Sequence, residues 1–169
     1  MNRKPFYLAI TFICLILIQG LILNNIMLFD RINPYIYIAF IFIFPYRTNR
    51  FPILFLGFLL GLFVDFFSDS GGIHAFATTL IAYLRPSFFR TFFQKTEVDY
   101  EFFNMNQESF GKIFNFVATL TLIHHFTVFI LINFSFNNFL NVIINTILSV
   151  IFSLILYFLG NFILSRKQQ

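Results

Sequence analysis

Asp65, Asp69 and His74 fall close together in the stretch 61–75, where the chain reads Gly61, Asp65, Ser68, Asp69, Ser70, Gly71, Gly72, His74 and Ala75 among apolar residues. Two carboxylates and an imidazole at a chain reversal are the ingredients of a metal site or of acid–base chemistry. Asp69 and His74 flank a flexible Gly-Gly turn, however, and no fourth ligand follows. The residues therefore predict a structural role. Gly57, Gly61 and Asp65 are four apart and share one helical face, a small-xxx-small track that lets another backbone approach closely. A carboxylate on that track needs donors, because a lone aspartate at the centre of a spanning helix costs roughly 2.5–3.5 kcal/mol. The free amides at the start of the next helix, at His74 and Ala75, are the nearest. Gly71 and Gly72 permit the reversal, with Asp69 or Ser70 expected as the cap. A close helical hairpin over 57–83, pinned by Asp65, is the expected arrangement, with no catalytic residue, no metal ligand set and no cofactor.

Other groups with chemical potential are sparser. His124 and His125 are adjacent and so point about 100° apart on a helix, which bars them from acting as a facing pair. Hydrogen bonds involving Thr121 and Thr127, local or between helices, are the expectation. Asn141, Asn145, Ser149, Ser153, Tyr157 and Asn161 recur every four residues, a stripe suited to interhelical hydrogen bonding. Cys14 is the single cysteine and reads as a small buried hydrophobe.

Such residues need a bilayer around them. The chain has 169 residues, of which 59% are apolar and 11% charged, including 30 Phe and no Trp; its mean hydropathy is +0.82. An average soluble domain is about 25% charged, so a soluble globule, a disordered chain and a disulfide scaffold are excluded. The many Phe read as lipid-facing filler. Basic charge, net +4, lies between apolar runs with no stacking platform, which argues against nucleic acid. Apolar runs predict an all-α polytopic membrane protein, a single domain over 1–169, with six transmembrane helices at about 6–23, 32–46, 51–67, 73–84, 113–132 and 139–164. The first is read as an uncleaved helix. With the N-terminus cytoplasmic, Arg3, Lys4, Arg47, Arg50, Arg85, Arg90, Lys95, Lys112, Arg166 and Lys167 lie inside and Arg31 alone outside, so both termini are expected in the cytoplasm.

The connection 85–112 is expected to be a cytoplasmic loop. Its first part is basic (Arg85, Arg90, Lys95), and Phe88, Phe89, Phe92 and Phe93 share one helical face, as in a segment lying on the inner leaflet. A loop with these aromatics tucked against the bundle is the alternative. Its second part is acidic (Glu97, Asp99, Glu101, Glu108) and free to meet a cytoplasmic partner.

The stretch 61–75, followed by Tyr83, Leu84, Arg85 and Pro86, resembles the rod shape-determining protein MreD family of bacteria, which has a similar G-x-x-x-D, a glycine turn and His-Ala opening the next helix. Asn24 to Phe29, Asn33-Pro34-Tyr35, the length and the six spans extend the likeness over the whole chain. The resemblance implies an inner-membrane protein of the cell-wall elongation machinery, with an MreC-type bitopic partner and, through it, the MreB filament, a RodA-type glycosyltransferase and a penicillin-binding transpeptidase. It implies a fold similar to the substrate-binding subunit of energy-coupling-factor transporters. Gly61, Asp65, Gly72, His74 and Ala75 match the family motif, with no catalytic role.

The leading expectation is thus a non-enzymatic scaffold that helps maintain rod shape and organise lateral peptidoglycan synthesis, its Gly57 and Gly61 face receiving a partner's helix. The rival is a vitamin-type small-molecule binding subunit of a membrane transporter that uses the polar residues of 141–153.

Overall fold

The computed structural model describes residues 3–26, 32–96, 100, 103–133 and 139–166; Arg31, Glu97, Asp99, Glu101 and Lys167, and residues 27–29 of the family likeness, lie outside them. The described residues form α1 (Arg3–Leu17), α2 (Ala39–Ile43), α3 (Phe51–Ser68), α4 (Ile73–Phe93), α5 (Phe110–Ile132) and α6 (Phe139–Arg166), with no strand among them. α1 continues through a π turn (Ile18–Ile22) and a 3-10 turn (Leu23–Asn25). Among the described residues, four segments are long and apolar enough to cross a membrane: Pro5–Asn25, Phe51–Ser68, Phe110–Ile132 and Phe139–Ile163. Helices of this kind suit a membrane-embedded protein, since about 20 apolar residues span the hydrocarbon.

Consecutive helices α3, α4, α5 and α6 pack side by side, and α1 lies against α3. Two expected spans look different in the structure. Residues 32–46 are not a continuous helix: Asn33 to Ile36 run without helical hydrogen bonds, and only Ala39–Ile43 is helical. Pro34 has no N–H to contribute and restricts the residue before it. Tyr35, Tyr37, Ile38, Phe40, Ile41, Phe42 and Phe44 are nevertheless buried, so this segment runs through the interior. Irregular backbone survives in an apolar solvent only when protein groups satisfy its amides and carbonyls.

The fourth span does not end at Leu84. α4 continues through Pro86 to Phe93, so the first part of the expected loop is helix. The buried positions Thr78, Ala82, Arg85, Phe89 and Phe93 follow at three- and four-residue spacing, and this face holds the helix together past the proline. Phe89 and Phe93 turn into the core, against Tyr46, Phe103 and Phe116, instead of toward a leaflet. The Phe complement is therefore divided: Phe66 and Phe6 are exposed, but Phe40, Phe42, Phe89, Phe93 and Phe116 build the core. Cys14 is exposed on α1.

Candidate functional site

The α3–α4 hairpin is built on contact between backbones. A Cβ added at Gly61 would meet the His74 carbonyl and stand 2.5 Å from Ala75 Cα, and one at Gly57 would stand 3.3 Å from the Ala82 Cβ. Nothing larger than glycine fits at Gly61. α4 therefore occupies the glycine track, which corrects the expectation that this face is lipid-exposed and open to a partner's helix. One turn on, the buried Asp65 carboxylate accepts three hydrogen bonds: from the Ser70 hydroxyl to Oδ1 (2.5 Å), from the His74 N–H to Oδ1 (2.9 Å) and from the Ala75 N–H to Oδ2 (2.8 Å). His74 and Ala75 are the second and third residues of α4, whose amides have no helical acceptor. Asp65 thus caps the following helix from the preceding one, and its negative charge faces the positive end of the α4 dipole.

The expected cap was Asp69 or Ser70. The residue at the cap position is Gly72, at φ 98°, and its carbonyl accepts from Phe76. Asp69 is exposed at φ 50° where α3 ends, its N–H returning to the Asp65 carbonyl. Asp65, Asp69 and His74 do not converge, because Asp65 meets the His74 backbone while the His74 imidazole turns inward. Among the described residues no group of three or more His, Cys, Asp or Glu side chains is disposed to hold a metal ion.

The inward face of His74 opens onto a polar cluster around the irregular segment. The Tyr37 hydroxyl lies 2.9 Å from His74 Nδ1 and 2.8 Å from His124 Nε2. His124 Nδ1 is buried and without a partner. The hydrogen placement that leaves no N–H at His124 Nδ1 puts a proton on His124 Nε2, donating to the Tyr37 oxygen, and sends the Tyr37 hydrogen to His74 Nδ1. His125 Nδ1 lies 2.9 Å from the Thr121 carbonyl, which can only accept, so His125 Nε2 accepts from the Ser153 hydroxyl at 2.9 Å. Ser153 Oγ in turn accepts the Tyr35 N–H (3.1 Å), and Ser149 Oγ accepts the Asn33 N–H (3.1 Å). From the π turn that continues α1, Gln19 accepts the Ile36 N–H and donates to the Pro34 carbonyl. Gln19, Ser149 and Ser153 replace helical hydrogen bonds that this segment lacks, while His74 of α4 and His124 of α5 hold its Tyr37 hydroxyl. The middle of the α6 stripe serves this purpose, while Asn141 and Asn161 are exposed. Thr127 donates to the Ile123 carbonyl and takes no part.

At the other end of α4, Arg85 is 3% exposed. One nitrogen, Nη2, donates to the carbonyls of Phe42 (3.5 Å) and Phe44, capping the end of α2. The Tyr46 ring lies 3.7 Å from the guanidinium carbon. Arg85 Nε and the Tyr46 hydroxyl are both buried and unpartnered, and no carboxylate pairs with Arg85 among the described residues. Glu108, expected to be free, pairs with Lys95 and, at 3.9 Å, Lys112.

Of the sequence-selected residues, the structure brings together Gly57, Gly61, Asp65, Gly72, His74 and Ala75 in one hairpin. It adds Tyr37 and Gln19, which the sequence reading did not single out, and it buries Arg85, which that reading placed at the start of a cytoplasmic loop. A signal for Arg85 was present: it continues the small face of Ala75, Thr78 and Ala82 by three residues. No protein-family model, curated protein or solved structure matches this chain.

Proposed function

We propose that this chain is a non-enzymatic scaffold of the MreD type in the bacterial inner membrane. In this reading it crosses the membrane six times with both termini cytoplasmic, and it organises lateral peptidoglycan synthesis with an MreC-type partner. The observation that carries the reading is that Gly61, Asp65, Gly72, His74 and Ala75, the residues of the family likeness, act as one structural unit. Gly61 admits the α4 backbone and Asp65 caps its first turn. A carboxylate engaged by three donors suits a structural part better than a catalytic one. In this reading the passage at 32–46 is made by buried irregular chain, which an apolar solvent tolerates where protein groups surround it.

The partner's helix must use a face other than Gly57 and Gly61. The decisive experiment is copurification in mild detergent with an MreC-type protein, paired with depletion in a rod-shaped host. The proposal expects a stable complex and rounded cells. Unchanged rods, or no complex, would overturn it.

A second reading, a small-molecule binding subunit, has one observation in its favour: His124 Nδ1 is a buried, partnerless group beside irregular backbone. It expects an organic ligand that survives purification, is identified by mass spectrometry and is lost in His124→Phe. Ser149 and Ser153, assigned to that ligand in the sequence analysis, are already engaged with Asn33, Tyr35 and His125.

A further inference from the structure

Among the described residues, Arg85 is a buried charge with no carboxylate partner. A guanidinium has five N–H donors in a planar fork suited to two parallel bonds with an oxyanion. The two carbonyls it meets, those of Phe42 and Phe44, both take their hydrogen bonds from Nη2. Capping the end of α2 thus uses one corner of the fork. Nε stays buried with no acceptor, and so does the hydroxyl of Tyr46, whose ring lies against the same guanidinium. Unpartnered buried donors are rare in native proteins and call for an explanation. A buried ionisable side chain in a membrane protein is by default a functional group facing a partner.

The surroundings indicate the sign and class of that partner. Arg85 lies eight residues, about 12 Å along the helix, from the end of α4. Lys95 just beyond that end, Arg47 and Arg50 before α3, and Lys112 in the first turn of α5 lie at the same end of these helices, where Glu108, paired with both lysines, is the one acid among the described residues. Phosphates are the anions that a membrane-embedded chain always meets near its ends, and arginine with a hydroxyl donor is a phosphate-binding pair.

We propose that Arg85 Nε–H and the Tyr46 hydroxyl form a binding site for an anionic phosphate group, supplied by a lipid headgroup or by a soluble phosphate ester. Tyr46 has two parts to play there. Its ring holds the guanidinium plane by a cation–π contact, and its hydroxyl donates the second hydrogen bond.

The test is native mass spectrometry of the purified full chain in mild detergent, titrated with phosphatidylglycerol, with diacylglycerol of the same tails, and with glycerol phosphate. Phosphatidylglycerol should bind and diacylglycerol should not. Arg85→Lys and Tyr46→Phe should each weaken binding at least ten-fold, while Arg90→Gln, at an exposed cation on the same helix, leaves it unchanged. Should Arg85→Lys fail to fold, Tyr46→Phe decides alone, because it keeps the ring under the guanidinium. Glycerol phosphate binding with the same sensitivity to Tyr46→Phe supports the site and assigns it to a soluble ester. Phosphatidylglycerol binding equally well to Tyr46→Phe, binding lost only in Arg90→Gln, or no phosphate binding in either arm would overturn the proposal.

Discussion

The two ends of α4 each bury one charge, and they treat it in opposite ways. At the start of the helix, Asp65 is 5% exposed and receives three donors, two of them amides that would otherwise have no partner. Toward the other end, Arg85 is 3% exposed and meets two carbonyls, with one of its own N–H groups left over. An aspartate is an acceptor with compact geometry, and a helix start offers a ready set of donors, so a closed internal solution exists. A guanidinium presents donors in several directions, and α2, only five residues long, supplies acceptors for one. The Asp65 end is complete within the chain, whereas the Arg85 end has capacity to spare.

The contrast is most directly broken at Gly61. Gly61→Leu should cost about 3 kcal/mol or more by overpacking, since its neighbours are backbone atoms of α4 that cannot rotate away. A large fall in the midpoint of thermal unfolding, followed by circular dichroism because the chain has no Trp, would be the readout. Asp65→Asn should follow at about 2–3 kcal/mol, because the amide can present only one acceptor oxygen to three donors and turns its own N–H groups toward the rest. Hydrogen exchange should then speed up at the His74 and Ala75 amides before it does elsewhere in α4.

Tyr37→Phe removes the hydroxyl that joins α4 to α5 and leaves two imidazoles without it, a loss of about 1–2 kcal/mol. In a double-mutant cycle with His124→Phe the two substitutions should be markedly non-additive; additive effects would show that the link carries no energy. Gly72→Ala, at φ 98° with open space around it, should cost about 1 kcal/mol through backbone strain alone. The smallest effect is expected from Arg85→Met in detergent without anionic lipid. Replacing a buried unpaired charge by an apolar side chain of similar length relieves desolvation while exposing two carbonyls, and the opposing effects leave a change within about 1 kcal/mol. An Arg85→Met loss as large as that of Asp65→Asn would erase the distinction between the two ends.

Much of the hairpin was legible beforehand because its signals are local. A four-residue spacing of Gly57, Gly61 and Asp65 fixes a face whatever lies opposite, and the Gly-Gly turn brings the free amides of the next helix within a few residues of the carboxylate. Its cap was misread, since Asp69 and Ser70 look like capping residues, whereas the amides are taken by a side chain one helix earlier. The 32–46 segment was legible only as apolar. Whether it is helical depends on Gln19, Ser149 and Ser153, which lie far away in the chain and bond its backbone, and hydropathy carries no such information. Arg85-Pro86 reads as a helix end because proline usually stops one; the aromatic face at Phe89 and Phe93 outweighs that rule only once Tyr46, Phe103 and Phe116 are in place.

Composition and spacing by themselves determined that this chain is apolar and helical, that its charges lie mainly between apolar runs, and that Asp65 must find donors at the start of the following helix. These follow from the cost of bare polar groups in hydrocarbon and from the 3.6-residue repeat, neither of which needs a distant partner. The tertiary structure alone decided that the glycine track is spent on α4, that the second apolar run passes through the interior as irregular chain held by distant side chains, and that Arg85 is buried without a counter-charge among the described residues. Each depends on which side chains meet across more than one helix, and such meetings are a property of the packed bundle.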